Sequence, residues 1–300
     1  MEPLKRKIVV RIYGGLGNQL FQYACGRALS IEKRSELILD SSDLKHEKLR
    51  AFELGNFCIP GNVMQYAYTE EKKKIPKYHP VRAMQRIQYK FFWKTFSETG
   101  LSRYNPDLIR SDKNLYLWGY WQSPRYFSKH ASVIKNDLAF RLDNNAEYSD
   151  LVNTMLSTQS VAVHVRRGDY ASNSNLTTRY GLLGASYYSR AVKEIERRLH
   201  DPMFFVFSDD VSAAREIMGS SSRIAYVTTT PRKSGFDDFQ LMTTCKHFII
   251  ANSTYSWWAA YLGVRDDGVV ICPEPWFVDT TVDSTDLIPS SWTRLDRLCD

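Results

Sequence analysis

Short runs of apolar and β-branched residues alternate with segments of helical spacing along most of this 300-residue chain. In the second half the strand-like runs are Val161–Val165, Phe204–Phe207, Ile224–Val227, Phe248–Ala251 and Val269–Cys272. Between them, Tyr187–Leu199, Val211–Met218, Phe239–Cys245 and Trp257–Leu262 repeat apolar positions three and four apart, which predicts helices. This alternation predicts a parallel sheet covered on both faces. On such sheets ligands sit at the carboxyl ends of the strands, so chemistry is sought there. The first half opens in the same way, with a strand at Ile8–Tyr13, a Gly-rich turn, a helix over Gln19–Glu32 and a strand at Leu37–Leu39. The basic, aromatic stretch Lys72–Phe96 carries Met84, Ile87 and Phe91 at helical spacing and is expected to form a helical cap. Leu115–Tyr120 reads as another strand, and Asn144–Gln159 as a connection between domains. The expected architecture is α/β, with two Rossmann-like domains, 1–150 and 151–300, facing across a cleft.

Composition narrows the setting. An apolar content of 43% supports one large domain or two ordinary ones. No apolar run approaches the ~20 residues that span a bilayer. The charged lead Met1–Lys7 runs straight into a strand-like stretch, unlike a signal peptide. Five cysteines (Cys25, Cys58, Cys245, Cys272 and Cys299) lack C-x-x-C spacing and read as reduced thiols, so a cytoplasmic location is expected. The two N-x-S/T sequons, at Asn175 and Asn252, carry little weight there. A formal charge of +7 suits an anionic partner. No nucleic-acid-binding signature is present, which favours a phosphate-bearing small molecule. Peripheral attachment to a membrane surface stays open.

Val161 to Tyr170 reads Val-Ala-Val-His-Val-Arg-Arg-Gly-Asp-Tyr. Alternation along a strand puts Val161, Val163 and Val165 on one face, and Ala162, His164 and Arg166 on the other. Arg166 then projects beside His164 at the strand's carboxyl end, where a guanidinium can grip a diphosphate through paired, charge-assisted bonds. Arg167 points away, Gly168 permits a tight turn, and Asp169 can buttress either arginine. The competing reading is a salt-bridged strand end with no ligand. Further on, Phe248–Ala251 runs into Asn252-Ser253-Thr254-Tyr255-Ser256, with a helix expected from about Ser256. Hydroxyls of Ser253, Thr254 and Ser256 beside a helix N-terminus make an anion site; plain helix capping is the alternative, and the better one for Ser256 taken alone. Trp257 and Trp258 read as core.

Gly14-Gly15-Leu16-Gly17-Asn18-Gln19 resembles a dinucleotide fingerprint, but Leu20 replaces its last glycine, which weakens a dehydrogenase reading. The safer inference is a backbone that must approach a ligand or another segment closely, with Asn18 at the expected helix cap. The sequence shows no Walker loop, H-E-x-x-H or G-x-S-x-G. Asp209-Asp210 follows a strand without the Asp-x-Asp spacing that holds a divalent metal. Leaving-group charge is therefore assigned to Arg166, hydroxyls and a helix dipole.

Four segments together resemble the α-1,2-fucosyltransferase family (glycosyltransferase family 11), bacterial type: Gly14–Ala24 (GGLGNQLFQYA), Gly119–Phe127 (GYWQSPRYF), His164–Tyr170 (HVRRGDY) and Ile249–Leu262 (IIANSTYSWWAAYL). The resemblance implies a GT-B-type fold, GDP-fucose as donor, the 2-hydroxyl of a galactose-terminated acceptor, inversion at the anomeric carbon, and neither metal nor cofactor; the alternative is another fucosyltransferase on the same scaffold, α-1,6- or protein O-fucosyl. It places the acceptor on the N-terminal domain and the GDP-sugar on the C-terminal one. Carried onto this chain, it gives Arg166 the donor diphosphate, His164 and Asp238 the guanosine, Ser253 and Thr254 the phosphates, and Gly17 and Asn18 the donor sugar and its phosphate. It is weakest at the general base that takes the acceptor proton. No Glu lies between Glu147 and Glu194, which leaves Asp169 or the departing diphosphate itself.

Overall fold

Ile8, Val9 and Val10 favour a pleated, buried strand, and they form the centre of β1 (Lys7–Arg11) in a computed structural model of the chain. The structure describes residues 6–44, 50–61, 64–66, 92–98, 102–141, 148–167, 174–228 and 235–297. It divides into two units, Met1–Arg141 with Thr285–Ile288, and Leu142–Ser284 with Pro289–Asp300. No helix among the described residues is long and apolar enough to cross a membrane.

In the first unit β1 leads through the Gly-rich turn into α1 (Leu16–Glu32), then β2 (Glu36–Asp40), β3 (Met64–Tyr66), β4 (Trp93–Ser97), α2 (Asp107–Arg110), β5 (Asn114–Trp118) and α3 (Ala131–Asp137). The sheet order is β3-β2-β1-β5-β4, and every pairing is parallel. α1 packs on β1 and β2 through an apolar face that includes Leu20, Phe21, Ala24 and Ala28. Gly26 makes this close approach possible, because a Cβ there would lie 2.4 Å from a Val10 methyl. The expected helical cap over 72–96 is corrected at its end. Trp93–Ser97 is a strand paired with β5, as its aromatic and β-branched residues favour, while 72–91 lies outside the described residues.

The second unit contains α4 (Ser149–Ser157), β6 (Gln159–Val165), α5 (Ser174–Tyr180), α6 (Ala185–Arg198), β7 (Pro202–Ser208), α7 (Val211–Met218), β8 (Ile224–Tyr226), α8 (Gly235–Thr244), β9 (His247–Ile249), α9 (Thr254–Gly263), β10 (Val270–Glu274) and β11 (Thr293–Asp296). All pairings in the sheet, order β11-β10-β9-β6-β7-β8, are parallel. Val161, Val163 and Val165 share a core with Tyr187, Tyr188, Ala191 and Ile195 of α6. Each buried valine or isoleucine among them stabilises the fold by roughly 1.5–3 kcal/mol, before the entropy of ordering it. The stretch read as a connection is corrected as well. Ser149–Ser157 is helical, because Val152 and Met155 give it an apolar side, and β6 begins already at Gln159.

Strand order reverses at one place in each sheet. In the second unit this switch point lies between β6 and β9, and in the first between β1 and β5. Chain connections diverge to either side there and leave a crevice at the carboxyl ends of the strands, where open α/β sheets bind ligands.

Candidate active site

The end of β6 carries the residues singled out by strand alternation. His164 lies opposite the valine face, only 4% exposed, with its ring 5.5 Å from that of Tyr255 on α9. Its carbonyl accepts the Tyr188 hydroxyl at 3.0 Å. Nδ1 is buried without a hydrogen-bond partner among the described residues. Burial, reinforced by the positive charge of Arg166, pushes the imidazole down to about 3, so the ring is neutral near pH 7.

Arg166 follows immediately and is about one-quarter exposed, with Nη1 2.8 Å from Asp209 Oδ2. The other oxygen of Asp209 accepts the Arg167 backbone N–H at 2.8 Å. Ser208, at the end of β7, donates its hydroxyl to the Val165 carbonyl at 2.7 Å. Asp210 caps α7 by accepting from the Ala213 N–H at 3.0 Å. The adjacent acids thus have separate duties, one orienting an arginine and the other starting a helix. Asp209 was not assigned a role from sequence, although an acid placed just after the strand neighbouring β6 was the available signal. Among the described residues the Arg167 guanidinium donates to the Leu183 carbonyl at 3.0 Å, and Asp209 pairs with Arg166. Asp169 lies outside the described residues.

On the other side of the switch point, α9 begins at Thr254, with Ser253 as its N-cap, rather than near Ser256. The Ser253 side chain makes no capping bond. A helix start carries backbone N–H groups that no earlier turn satisfies, together with partial positive charge. Ser256 is fully buried, and its hydroxyl lies 3.3 Å from the carbonyls of Ala251 and Ser253. It is thereby corrected from ligand donor to turn residue. Trp257 and Trp258 are core residues. Asn252 holds this loop, donating to the Tyr180 carbonyl at 2.6 Å and to that of Trp276 at 3.3 Å. Arg297, just beyond β11, donates to the same two oxygens at 2.7 and 3.3 Å. Neither of these anchors was identified from sequence.

Asp238 sits in the first turn of α8 and is 8% exposed. α8 packs on α9, where the ring of Phe239 meets Tyr255 edge-on at 5.3 Å and the Tyr255 hydroxyl donates to the Gly235 carbonyl. Tyr255 therefore links the helix that bears Asp238 to the ring of His164.

Gly17 and Asn18 belong to the first unit. The N-cap of α1 is Gly15, and Asn18 is corrected from cap to a position inside the first turn. Its Oδ1 accepts from Gln122 Nε2 at 2.9 Å, which joins the start of α1 to the loop after β5 across the switch point. Two buried glutamines of α1 fasten the same region. Gln19 donates to the carbonyls of Gly14 and Ala51, while Gln22 accepts from the Tyr13 N–H and donates to the Gly119 carbonyl. Among the described residues no group of three or more His, Cys, Asp or Glu is arranged to hold a metal ion.

The model of glycosyl transferase family 11 matches residues 1–295. The chain is 32% identical to an alpha-1,2-colitosyltransferase of Escherichia coli over 299 residues, covering 97% of this chain and 99% of that protein. A shorter match, 35% over 112 residues, relates 37% of the chain to 30% of a galactoside 2-alpha-L-fucosyltransferase of Bos taurus. Among solved structures, NodZ alpha-1,6-fucosyltransferase soaked with GDP-fucose superposes with a TM-score of 0.50 at 15% identity, covering 86% of this chain and 92% of that one.

Proposed function

Because this chain belongs to glycosyl transferase family 11, we propose that it transfers L-fucose from GDP-fucose, with inversion at the anomeric carbon, to the 2-hydroxyl of a galactose residue in a glycan. The observation that carries the reading is the pairing of Arg166 and the N-terminus of α9 on the two strands that flank one switch point. Both offer positive charge and N–H donors to a diphosphate. That charge grows as the bond from the anomeric carbon to phosphate breaks, so donors aimed there stabilise the transition state more than the ground state. In this reading the unit containing β6–β11 binds the donor. Ser253 and Thr254 contact the phosphates. The Asp238 carboxylate accepts from guanine N1–H and the exocyclic amine, a pair of donors adenine lacks, and neutral His164 lies alongside the nucleoside. Gly17 and Asn18 are assigned to the donor sugar and its phosphate.

The donor assignment draws on the GDP-fucose in the NodZ crystals, and the linkage on the names of the relatives that match. A second reading, transfer of colitose, is favoured by the full-length match to the E. coli colitosyltransferase. Incubation with GDP-fucose or a colitosyl donor, each with a panel of β-galactosides, separates the two. Fucosyl transfer with an α-1,2 linkage by NMR is the expected result; turnover of the colitosyl donor alone would replace the first reading with the second.

A further inference from the structure

The two strands that flank the switch point of the first unit end in Arg11 (β1) and Trp118 (β5). Val10 points toward α1, where its methyl faces Gly26, so Val9 and Arg11 point to the opposite side of the sheet. Val9 pairs with Tyr116 and Arg11 with Asp40, which puts Tyr116, Trp118 and Asp40 on that same side. There the Arg11 guanidinium lies 4.2 Å from the centre of the Trp118 ring. Its Nε is ion-paired with Asp43 Oδ2. Asp40 is fully buried and supports this pair from both sides. Its Oδ2 accepts the Tyr116 hydroxyl at 3.0 Å, and its Oδ1 accepts the N–H of Ser42, next to Asp43, at 3.2 Å.

Trp118 is 47% exposed, although several groups fix what stands against it. Core packing does not call for an indole here, because Leu115 and Leu117 fully bury the other face of β5. Nor does this surface suit a protein or a bilayer. The other exposed large apolar side chains described in this unit are Phe92, at the amino end of β4, and Ile109 and Val133, on helices that pack against α1. A single indole offers far less apolar area than either partner would bury. Arg11 stands beside two carboxylates, Asp43 and Asp40, so the surroundings oppose an anion. Arg11 itself fills the place over the ring that a cation would take. These features fit a neutral ligand with one apolar face and a polar rim.

We propose that Trp118 is a stacking platform for a galactose ring of the acceptor glycan, with Arg11 and Asp43 as the positioning residues that hold the indole. The inference rests on the galactoside reading of the function and specifies a subsite for it within the first unit. Galactose carries its 4-hydroxyl axially, so the C–H bonds at carbons 3, 4 and 5 gather on the opposite face of the ring. That face is apolar and slightly positive, the complement of the negative face of an indole. An indole that is already fixed loses little freedom when the sugar settles on it, which favours binding.

Binding of lactose to the full chain, with and without GDP, is followed by saturation-transfer NMR, so that no donor chemistry is involved. Transfer should be strongest at the galactose protons on carbons 3, 4 and 5. Trp118→Ala should weaken lactose affinity about tenfold, the scale of one aromatic contact, while Trp118→Phe keeps most of it. GDP affinity by calorimetry should stay close to wild type in both, and in turnover the loss should appear in the acceptor KM. Arg11→Gln, which leaves the indole unsupported, should fall between those two, and Arg11→Lys, which keeps a cation over the ring, should recover most of the loss. Lactose affinity within about twofold of wild type in Trp118→Ala would overturn the platform. So would methyl β-glucoside bound by the wild type as tightly as methyl β-galactoside, or no lactose binding by the wild type in either condition. Should Trp118→Ala fail to fold, a wild-type pattern spread evenly over the galactose ring would overturn it unaided. A dimer that dissociates in Trp118→Ala would assign the ring to a second copy of the chain instead. Lactose bound through Trp118 by a protein that transfers no fucose would remove the function reading and leave the platform, whereas fucosyl transfer unaltered by Trp118→Ala would remove the platform alone.

Discussion

Asp209 Oδ2 lies 2.8 Å from Arg166 Nη1, while Oδ1 of the same carboxylate accepts the Arg167 N–H at 2.8 Å. The acid therefore fixes both the direction of one guanidinium and the backbone that carries it. A guanidinium has five donors, so one carboxylate contact does not exhaust it for a diphosphate. Arg166→Ala should lower kcat by about 10²–10³-fold, the scale of losing an oxyanion-type donor. Arg166→Lys should be nearly as poor, since an ammonium lacks the planar fork. Asp209→Asn, which loosens that orientation, should fall between wild type and Arg166→Lys. Arg167→Lys should cost less than about tenfold, because the contact of its guanidinium among the described residues is to a carbonyl, Leu183, that an ammonium can also reach. Kinetics on the four variants, with thermal melts as folding checks, test the set. An inactive Arg167→Lys beside an active Arg166→Lys would mean that the wrong arginine has been placed at the donor.

Asp238→Ala should weaken GDP binding by ~1–3 kcal/mol, the usual cost of losing charge-assisted hydrogen bonds. On the proposed guanine contact, the same substitution should also narrow the preference for GDP over ADP. Titration calorimetry with both nucleotides measures it. Unchanged GDP affinity in a folded variant would take Asp238 out of the nucleotide site.

The strands of the second unit were legible because parallel strands buried on both faces leave continuous apolar runs, as at Val161–Val165 and Phe204–Phe207. His164 and Arg166 were legible for a related reason: a period of two fixes which residues share a face, and Val161, Val163 and Val165 do share a core away from His164. Residues whose roles arise through distant partners were not legible. Asp209 meets Arg166 only because β7 pairs with β6, and Arg297 reaches the loop around Asn252 only because β11 closes the sheet edge beside β10. β4 was misread because Met84, Ile87 and Phe91 supplied a helical period that was extended over residues which pair as a strand.

Gly14 has a φ of 78°, and a Cβ on it would lie 2.9 Å from Asn18 Nδ2. Gly14→Ala therefore combines left-handed strain with a displaced Asn18. The backbone component alone should destabilise the protein by ~1–2 kcal/mol, readable as a lower urea midpoint at unchanged slope. Loss of the Asn18–Gln122 contact should add a fall in activity beyond that expected from the unfolded fraction. A variant as stable as wild type would show that the turn relaxes at no cost.

Transfer should persist after exhaustive chelation with EDTA. Arg166 and the start of α9 supply the positive charge that a divalent ion would otherwise bring to the diphosphate. Activity is compared before chelation, after it, and after adding Mg²⁺ or Mn²⁺. A complete loss that either ion restores would mean these groups are insufficient.

His164 should make the protein acid-sensitive in a defined window. Its imidazole is pushed down to about 3 in the native state, first by burial and then by Arg166, against an ordinary value of 6.5. Above pH 6.5 both native and unfolded chains hold it neutral, so its contribution to stability is complete. Below that pH the unfolded chain takes up a proton that the native state refuses, and the contribution is lost as pH falls toward 3. Between pH 7.5 and pH 5 this amounts to ~2 kcal/mol, since each pH unit within the window corresponds to ~1.4 kcal/mol. His164→Asn lacks the titration but loses ring packing against Tyr255 at every pH. The stability gap between wild type and His164→Asn, from urea denaturation, should therefore shrink by about that amount at pH 5 relative to pH 7.5. A gap of the same size at both pH values would show that the native protein accepts the proton on His164, and that the ring is not the neutral, buried group assigned here to the nucleoside.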